Sequence, residues 1–170
     1  MTAEKIPELS SDEVSLYFSV AKNSERCRSP KIIHKQGDYH NRVFNFILEE
    51  SYMHPHLHPS EEKIEKMYLL DGSFALITFD DDGEVTNTYV LAKDGRESID
   101  VPAFTWHTYV MLTKEVIVFE TMEGVYNPST WKKMAPWAPS ENTLEAPAYL
   151  EMLKSKVATY KVRPNFRTAT

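Results

Sequence analysis

The chain is short of everything that would set it apart from an ordinary folded domain. It has one cysteine, Cys27, in 170 residues, so no intrachain disulfide can form, and a reducing compartment, the cytoplasm, is the expected location. Its five glycines never cluster, which excludes phosphate-cradling loops of the GxxxxGK or GxGxxG kind. Apolar stretches such as "LITF" and "VIVF" are far below the ~20 residues a bilayer span needs, and no basic region leads into an apolar run at the N-terminus, so no membrane role is expected. Positive charge is scarce as well. With 19 Lys and Arg against 25 Asp and Glu, the net charge of -6 repels a phosphate backbone, and no nucleic-acid partner is expected. The one basic stretch, Lys154, Lys156, Lys161, Arg163 and Arg167 against Glu151, reads as a solvated helix end and tail.

What is present is the composition of a folded core: 42% hydrophobic and 12% aromatic residues, enough for one domain with terminal extensions. "SSDEVSLYFSVAKN" sets Ser10 three residues before Glu13, a capping-box spacing, and predicts a helix over about 11–22 with Val14, Phe18 and Ala21 on one face. The turn-rich "SERCRSPKIIHKQGDYHN" predicts a wrapping loop. From Arg42 to Glu123 the chain reads as eight short strands, "VFNFILEE", "YMHPHLH", "KMYLL", "SFALITF", "EVTNTYVLA", "SIDVP", "HTYVML" and "EVIVFET", parted by turns such as "DDDG". Strands without intervening helices predict an antiparallel sandwich or barrel. "VYNPSTWKKMAPWAPSEN" follows as a closing segment, with Trp131 and Trp137 packing on a barrel end. A last helix is spaced through Leu144, Leu150, Leu153 and Val157. The organisation expected is therefore 1–41 helix and wrapping loop, 42–124 barrel, and 125–170 closing segment, helix and basic tail.

The segment "SYMHPHLHPSEEKIEKMYLLDG" holds the chemistry. His54, His56 and His58 fall at alternate positions, and residues two apart in a strand share a face, so an HxH pair aims two imidazoles into one volume. Two or three histidines with a carboxylate suit a divalent transition metal: Fe, Mn, Ni or Zn. Glu61, Glu62 and Glu65 all follow closely. Glu65 is preferred because it opens the apolar strand "EKMYLLDG", where a sheet can hold it, while Glu61 and Glu62 belong to a polar loop. A distant partner is His107 in "VPAFTWHTYV", at the expected start of a strand.

These strings resemble a family. "HLHPSEEKIEKMYLLDG" is similar to the first cupin motif, HxH followed by Glu with six residues between that Glu and a Gly, and "VPAFTWH" to the second. Over about Arg42 to Glu141 the chain resembles the WbuC-type cupin metalloproteins through "RVFN", "PHLHP", "EKMYLLDGSFALITFDDDGEV", "VPAFTWHT", "VIVFETMEGVYNP" and "APWAPSE". The resemblance implies a mainly β fold, a double-stranded β-helix (cupin jelly-roll) barrel with N-terminal and C-terminal helices. It also implies one divalent metal held by His56, His58, Glu65 and His107. The gap from His58 to Glu65 is two residues longer than the usual cupin spacing, which keeps Glu62 as the alternative donor. His54 stands where the family tends to carry a basic residue, and is expected beside the ligands or facing the substrate.

Cupin barrels host many reactions, so the fold does not name one. The leading expectation is a metal-dependent enzyme on a small polar metabolite, such as a sugar or sugar nucleotide of surface-polysaccharide metabolism. In it Glu120 or Tyr109 moves a proton, while Arg42, Asn45, His54 and Trp106 contact substrate. Tyr52, Phe104, Trp131 and Trp137 are expected near the cavity. The alternatives are a non-catalytic ligand-binding barrel and an Fe-dependent dioxygenase. A homodimer is expected, because edge strands need cover.

Overall fold

A computed structural model describes residues 3–161, without the side chains of 158–161; the tail residues Lys161, Arg163 and Arg167 lie outside the described side chains. Two five-stranded antiparallel sheets face each other. The first runs, in spatial order, β1 (Arg28–Ile32), β2 (His40–Leu48), β9 (Glu115–Glu123), β4 (Glu65–Asp71) and β7 (Ser98–Val101). The second runs β10 (Lys133–Met134), β3 (His56–Leu57), β8 (Trp106–Met111), β5 (Phe74–Phe79) and β6 (Val85–Leu91). This is the expected jelly-roll barrel. Each of the eight apolar runs forms a strand.

Both faces of both sheets are covered, which explains why the strands read as apolar runs with little alternation. β8 is buried at all six positions. Between the sheets lie Ile47, Met67, Leu69, Tyr109, Val116 and Val118. On the outside of the first sheet, Phe44, Phe46 and Phe119 meet Phe18 and Ala21 of α1 (Ser11–Lys22). On the outside of the second, Ile77, Trp106 and Val110 meet Leu150, Leu153 and Val157 of α2 (Ala146–Lys161). Each such side chain withdrawn from water contributes roughly 1.5–3 kcal/mol. The capping box of α1 is formed as expected: Ser10 Oγ accepts from the Glu13 N–H, and Glu13 Oε2 accepts from the Ser10 N–H.

Two expectations change. The wrapping loop contains strand β1, paired along its whole length with β2, and Pro30 is tolerated there because β1 is a sheet edge. Leu144 is 97% exposed and precedes α2, so the buried face of that helix starts at Ala146 and continues through Leu150. The tight turn after β4 needs glycine: Gly72 has φ +77°, and a Cβ there would lie 2.4 Å from the carbonyl oxygen of Glu115. The turn of "DDDG" ends at Gly83, φ +88°, against which the ring of Trp137 packs. Trp137 also meets Phe79 and Trp106, so this tryptophan covers the outer face of the second sheet. Among the described residues no helix is long and apolar enough to cross a membrane.

Candidate metal centre

Inward-facing residues at one end of the barrel turn polar. β3 directs His56, and His58 just beyond it, to the interior; β4 opens with Glu65; His107 sits on β8 directly opposite His56 in register. One ligand atom from each of these four buried side chains lies within 4.8 Å of every other. They converge because three strands from the two sheets meet there, β3 supplying His56 and, just beyond it, His58, β4 supplying Glu65 and β8 supplying His107.

The histidines are oriented by backbone. The Nδ1–H of His56 donates to the His54 carbonyl at 2.9 Å, that of His107 to the Thr105 carbonyl at 2.8 Å, and that of His58 to the Trp131 carbonyl at 2.8 Å. A carbonyl can only accept, so all three Nδ1 atoms carry a proton and all three Nε2 atoms are turned inward. Glu65 Oε2 lies 2.8 Å from His107 Nε2 and 3.3 Å from His58 Nε2. With the rings neutral, three Nε2 lone pairs and a carboxylate meet at one point, a set that a shared cation satisfies. The donor set and its supporting bonds fit a divalent transition metal.

Without an ion the same groups act on one another. Burial, the largest influence on Glu65, would raise its carboxyl, but contacts with His107 and His58 outweigh it and hold the group well below the ordinary carboxylate range. Burial, followed by the neighbouring His107, keeps His56 well below the ordinary imidazole value. Glu120, on the inner face of β9, is pushed well above the usual range by burial and then by the charge of Glu65. Its Oε1 is buried without a partner, and the Asn45 amide bonds to the carboxyl.

A cavity of about 310 Å³ opens beside the cluster, at the small end of ligand sites. His56, His58, Glu65 and Glu120 line its floor; its walls are mainly apolar, among them Met53, Tyr126 and Trp131, with the polar His34, Asn41, Thr121 and Lys132 between them. Several expected contacts are absent from it. Arg42 belongs to the opposite face of β2, where its Nε donates to Glu4 at 3.0 Å and its guanidinium lies over Phe119. Trp106 is on the outer face of β8, donating to Asp81 at 3.0 Å. His54 is buried with its Nε2 2.8 Å from the Ala135 carbonyl, outside the four-residue cluster. Glu62 is exposed and accepts from Ser60, so Glu65 is the carboxylate at the cluster. Tyr109 lies two residues beyond His107 on the interior face, its hydroxyl buried and unpartnered but not among the cavity walls. Of the aromatic residues expected nearby, only Trp131 lines the cavity; Tyr52 donates to the Pro139 carbonyl and Phe104 is exposed.

Sequence reasoning did not single out Met53, Tyr126 or Lys132. It also read the closing segment as a cover. In the structure β10 pairs with β3, Ala135 N–H donates to the Pro55 carbonyl at 2.8 Å, and Trp131 supplies the carbonyl that orients His58. The signal available was the alternation of aromatic and basic residues in "STWKKMAPW", which is too short to read as a strand.

With the fold and the cluster in place, comparison with known proteins adds the following. The model of a domain of unknown function (DUF6016) matches residues 9–91. No curated protein matches the chain. CapF, a capsular polysaccharide assembling protein from Staphylococcus aureus, is similar in structure with a TM-score of 0.54 at 17% identity, over 62% of this chain and 31% of CapF. Protein SO0799 from Shewanella oneidensis gives 0.51 at 16% identity, over 75% of this chain and 80% of that one. The chain thus spans about a third of CapF. Identities this low speak for the fold, which is that of a cupin, and the buried three-histidine, one-glutamate group suits a metal ion.

Proposed function

We propose that this cupin is a divalent-metal protein that holds a small metabolite on the ion, and that Glu120 moves a proton on the bound molecule. His56, His58, Glu65 and His107 are the ligands. The observation that carries the reading is the set of three Nδ1–H bonds to backbone carbonyls, which leaves four acceptors aimed at one point inside the barrel. A bound divalent ion supplies Lewis-acid polarisation of a carbonyl or hydroxyl oxygen. The protein contributes the rest. Backbone carbonyls fix the imidazoles, the apolar walls exclude water, and the unpartnered Glu120 Oε1 faces the cavity within reach of a substrate proton. Asn45 positions that carboxyl. The same four ligands around iron would suit a dioxygenase, and metal identity chooses between the two.

A sugar or sugar nucleotide is the substrate class that the resemblance to WbuC-type proteins implies, and CapF assembles capsular polysaccharide. Elemental analysis of untagged protein beside a His56→Ala/His58→Ala/His107→Ala variant tests the reading. About one equivalent of iron, manganese, nickel or zinc is expected in the first and none in the folded second. Metal in neither, after soaking in divalent ions, would sink it.

A further inference from the structure

The cavity wall contains a cation that makes no hydrogen bond or ion pair among the described residues. Lys132 lies between Trp131, whose carbonyl orients His58, and Lys133, the first residue of β10. It lines the cavity and is half-buried. Among the described residues, no carboxylate or carbonyl takes an ion pair or hydrogen bond from its ammonium. Other lysines near the cavity and the closing segment differ. Lys63 donates to the Thr130 carbonyl at 3.0 Å and lies over the Trp131 ring, and Lys133 lies over Trp106. Withdrawing an ammonium from water without an acceptor is unfavourable, and burial, reinforced by the positive charges of Arg26 and Arg28, depresses Lys132 below the ordinary lysine range. An acceptor brought by a ligand would remove that penalty.

The charge count points the same way. A divalent ion brings two positive charges to the site, Glu65 removes one, Lys132 adds one, and Glu120, pushed toward its neutral form by burial and by Glu65, adds none, so the loaded cavity favours an anion. Most of its walls are apolar, with Val43, Met53, Met122, Tyr126 and Trp131 beside the polar His34, Asn41 and Thr121. The apolar surface and two aromatic faces suit an apolar or aromatic body.

Building on the metal reading above, we infer that the ligand is a small 2-oxo or 2-hydroxy carboxylic acid with an apolar or aromatic body, its carboxylate meeting Lys132. Were His56, His58, Glu65 and His107 to hold a divalent ion, the adjacent oxygens of such a head group would suit it as further donors. The carboxylate accepts a charge-assisted hydrogen bond from Lys132, and the body fills the space between Met53, Tyr126 and Trp131. Lys132 is a specificity residue in this assignment and takes no part in proton movement.

The test uses full-length protein loaded with Zn or Mn, with metal content measured on every sample, and calorimetric titration with three probes. Phenylpyruvate has the acid head and the aromatic body, its methyl ester lacks the charge, and pyruvate lacks the body. Phenylpyruvate is expected to bind about tenfold more tightly than either of the others, a difference of about 1.4 kcal/mol. Lys132→Gln should erase the preference over the ester and Lys132→Arg should restore it, both at unchanged metal content. If the wild type holds metal but phenylpyruvate does not bind, binds no better than its ester, or binds Lys132→Gln as well, the inference is overturned while the metal site stands. If the wild type holds no metal, the metal reading falls and takes the inference with it.

Discussion

Two buried polar clusters of the barrel differ in whether their hydrogen-bonding capacity is used up. At the first, Arg28 is 6% exposed and its guanidinium donates to Glu141 at 2.6 Å, to Ser51 Oγ and the Tyr52 carbonyl at 3.2 Å each, and to the Arg26 carbonyl at 3.4 Å. Glu141 in turn accepts from Arg26 at 2.9 Å. Donors and acceptors match, and the cluster ties the closing segment to the start of β1. At the second, His56, His58, His107 and Glu65 present four acceptors to one point, Glu120 keeps an unpartnered oxygen, and Lys132 an unpartnered ammonium. A closed cluster is architecture. An open one, tolerated at a cost in an otherwise satisfied interior, marks where something else binds.

The comparison breaks first if the closed cluster proves dispensable. Glu141→Ala would leave the Arg28 guanidinium buried without its counter-charge, and about 3 kcal/mol of unfolding free energy should be lost. Replacing both partners with methionine should recover much of that loss, because no charge is then stranded. Urea unfolding of the three proteins decides the matter; a loss below about 1 kcal/mol for Glu141→Ala would mean that the pair is not a structural tie.

The open cluster should respond to an ion as well as to mutation. In metal-free protein, Glu65→Gln gives up the contacts with His107 and His58 that hold the carboxylate ionised, so it should cost stability near neutral pH, less than Glu141→Ala because the amide can still donate to an imidazole nitrogen. Adding zinc or manganese at a hundredfold excess over Kd should then stabilise the wild type by about 2.7 kcal/mol and leave Glu65→Gln much less affected. Thermal unfolding with and without metal reads both effects. Equal stabilisation of the two proteins would show that the ion binds elsewhere.

The open cluster was also the more legible of the two from sequence. His56 and His58 at period two, Glu65 at the head of an apolar strand, and His107 after a proline-marked turn are each tied to strand geometry, and the eight apolar runs located the strands. Faces were harder. β2 carries Val43 and Ile47 on one side and Phe44, Phe46 and Leu48 on the other, because α1 covers the outside of the sheet. With both faces apolar, nothing in the pattern says which way Arg42 or Trp106 points, and both face away from the cavity. The edge strands β1 and β10 were missed for a different reason: each is short, polar or proline-bearing, and becomes a strand only by pairing with a neighbour remote in sequence. Lys132 falls in that blind spot, since a lysine in "TWKKM" reads as solvated until the pairing of β10 with β3 sets it at the cavity wall. Arg28 and Glu141 stand 113 residues apart, beyond the reach of any local pattern.

A third polar cluster sharpens the contrast by being closed and exposed. Ser10 and Glu13 exchange hydrogen bonds at the start of α1, at 3.2 and 2.9 Å, and Lys31 adds its ammonium to the Glu13 carboxylate. These bonds, led by the one with Lys31, lower the Glu13 carboxyl from 4.5 to about 2. A carboxyl with a depressed folded pKa contributes its stability above the unfolded value and loses it as pH falls through the folded one, so the Glu13 contribution should fade between pH 4.5 and about 2. Ser10→Ala removes the cap and should cost about 1 kcal/mol near neutral pH, less than Glu141→Ala because water satisfies the groups set free. Helix α1 rests on the outside of the sheet through Phe18 against Phe46, and fraying its first turn does not reach the interior. Metal content and phenylpyruvate binding should therefore match the wild type. Loss of metal in a folded Ser10→Ala protein would mean that the outer layer and the histidine end of the barrel are coupled, and that the open cluster depends on more than the strands that carry it.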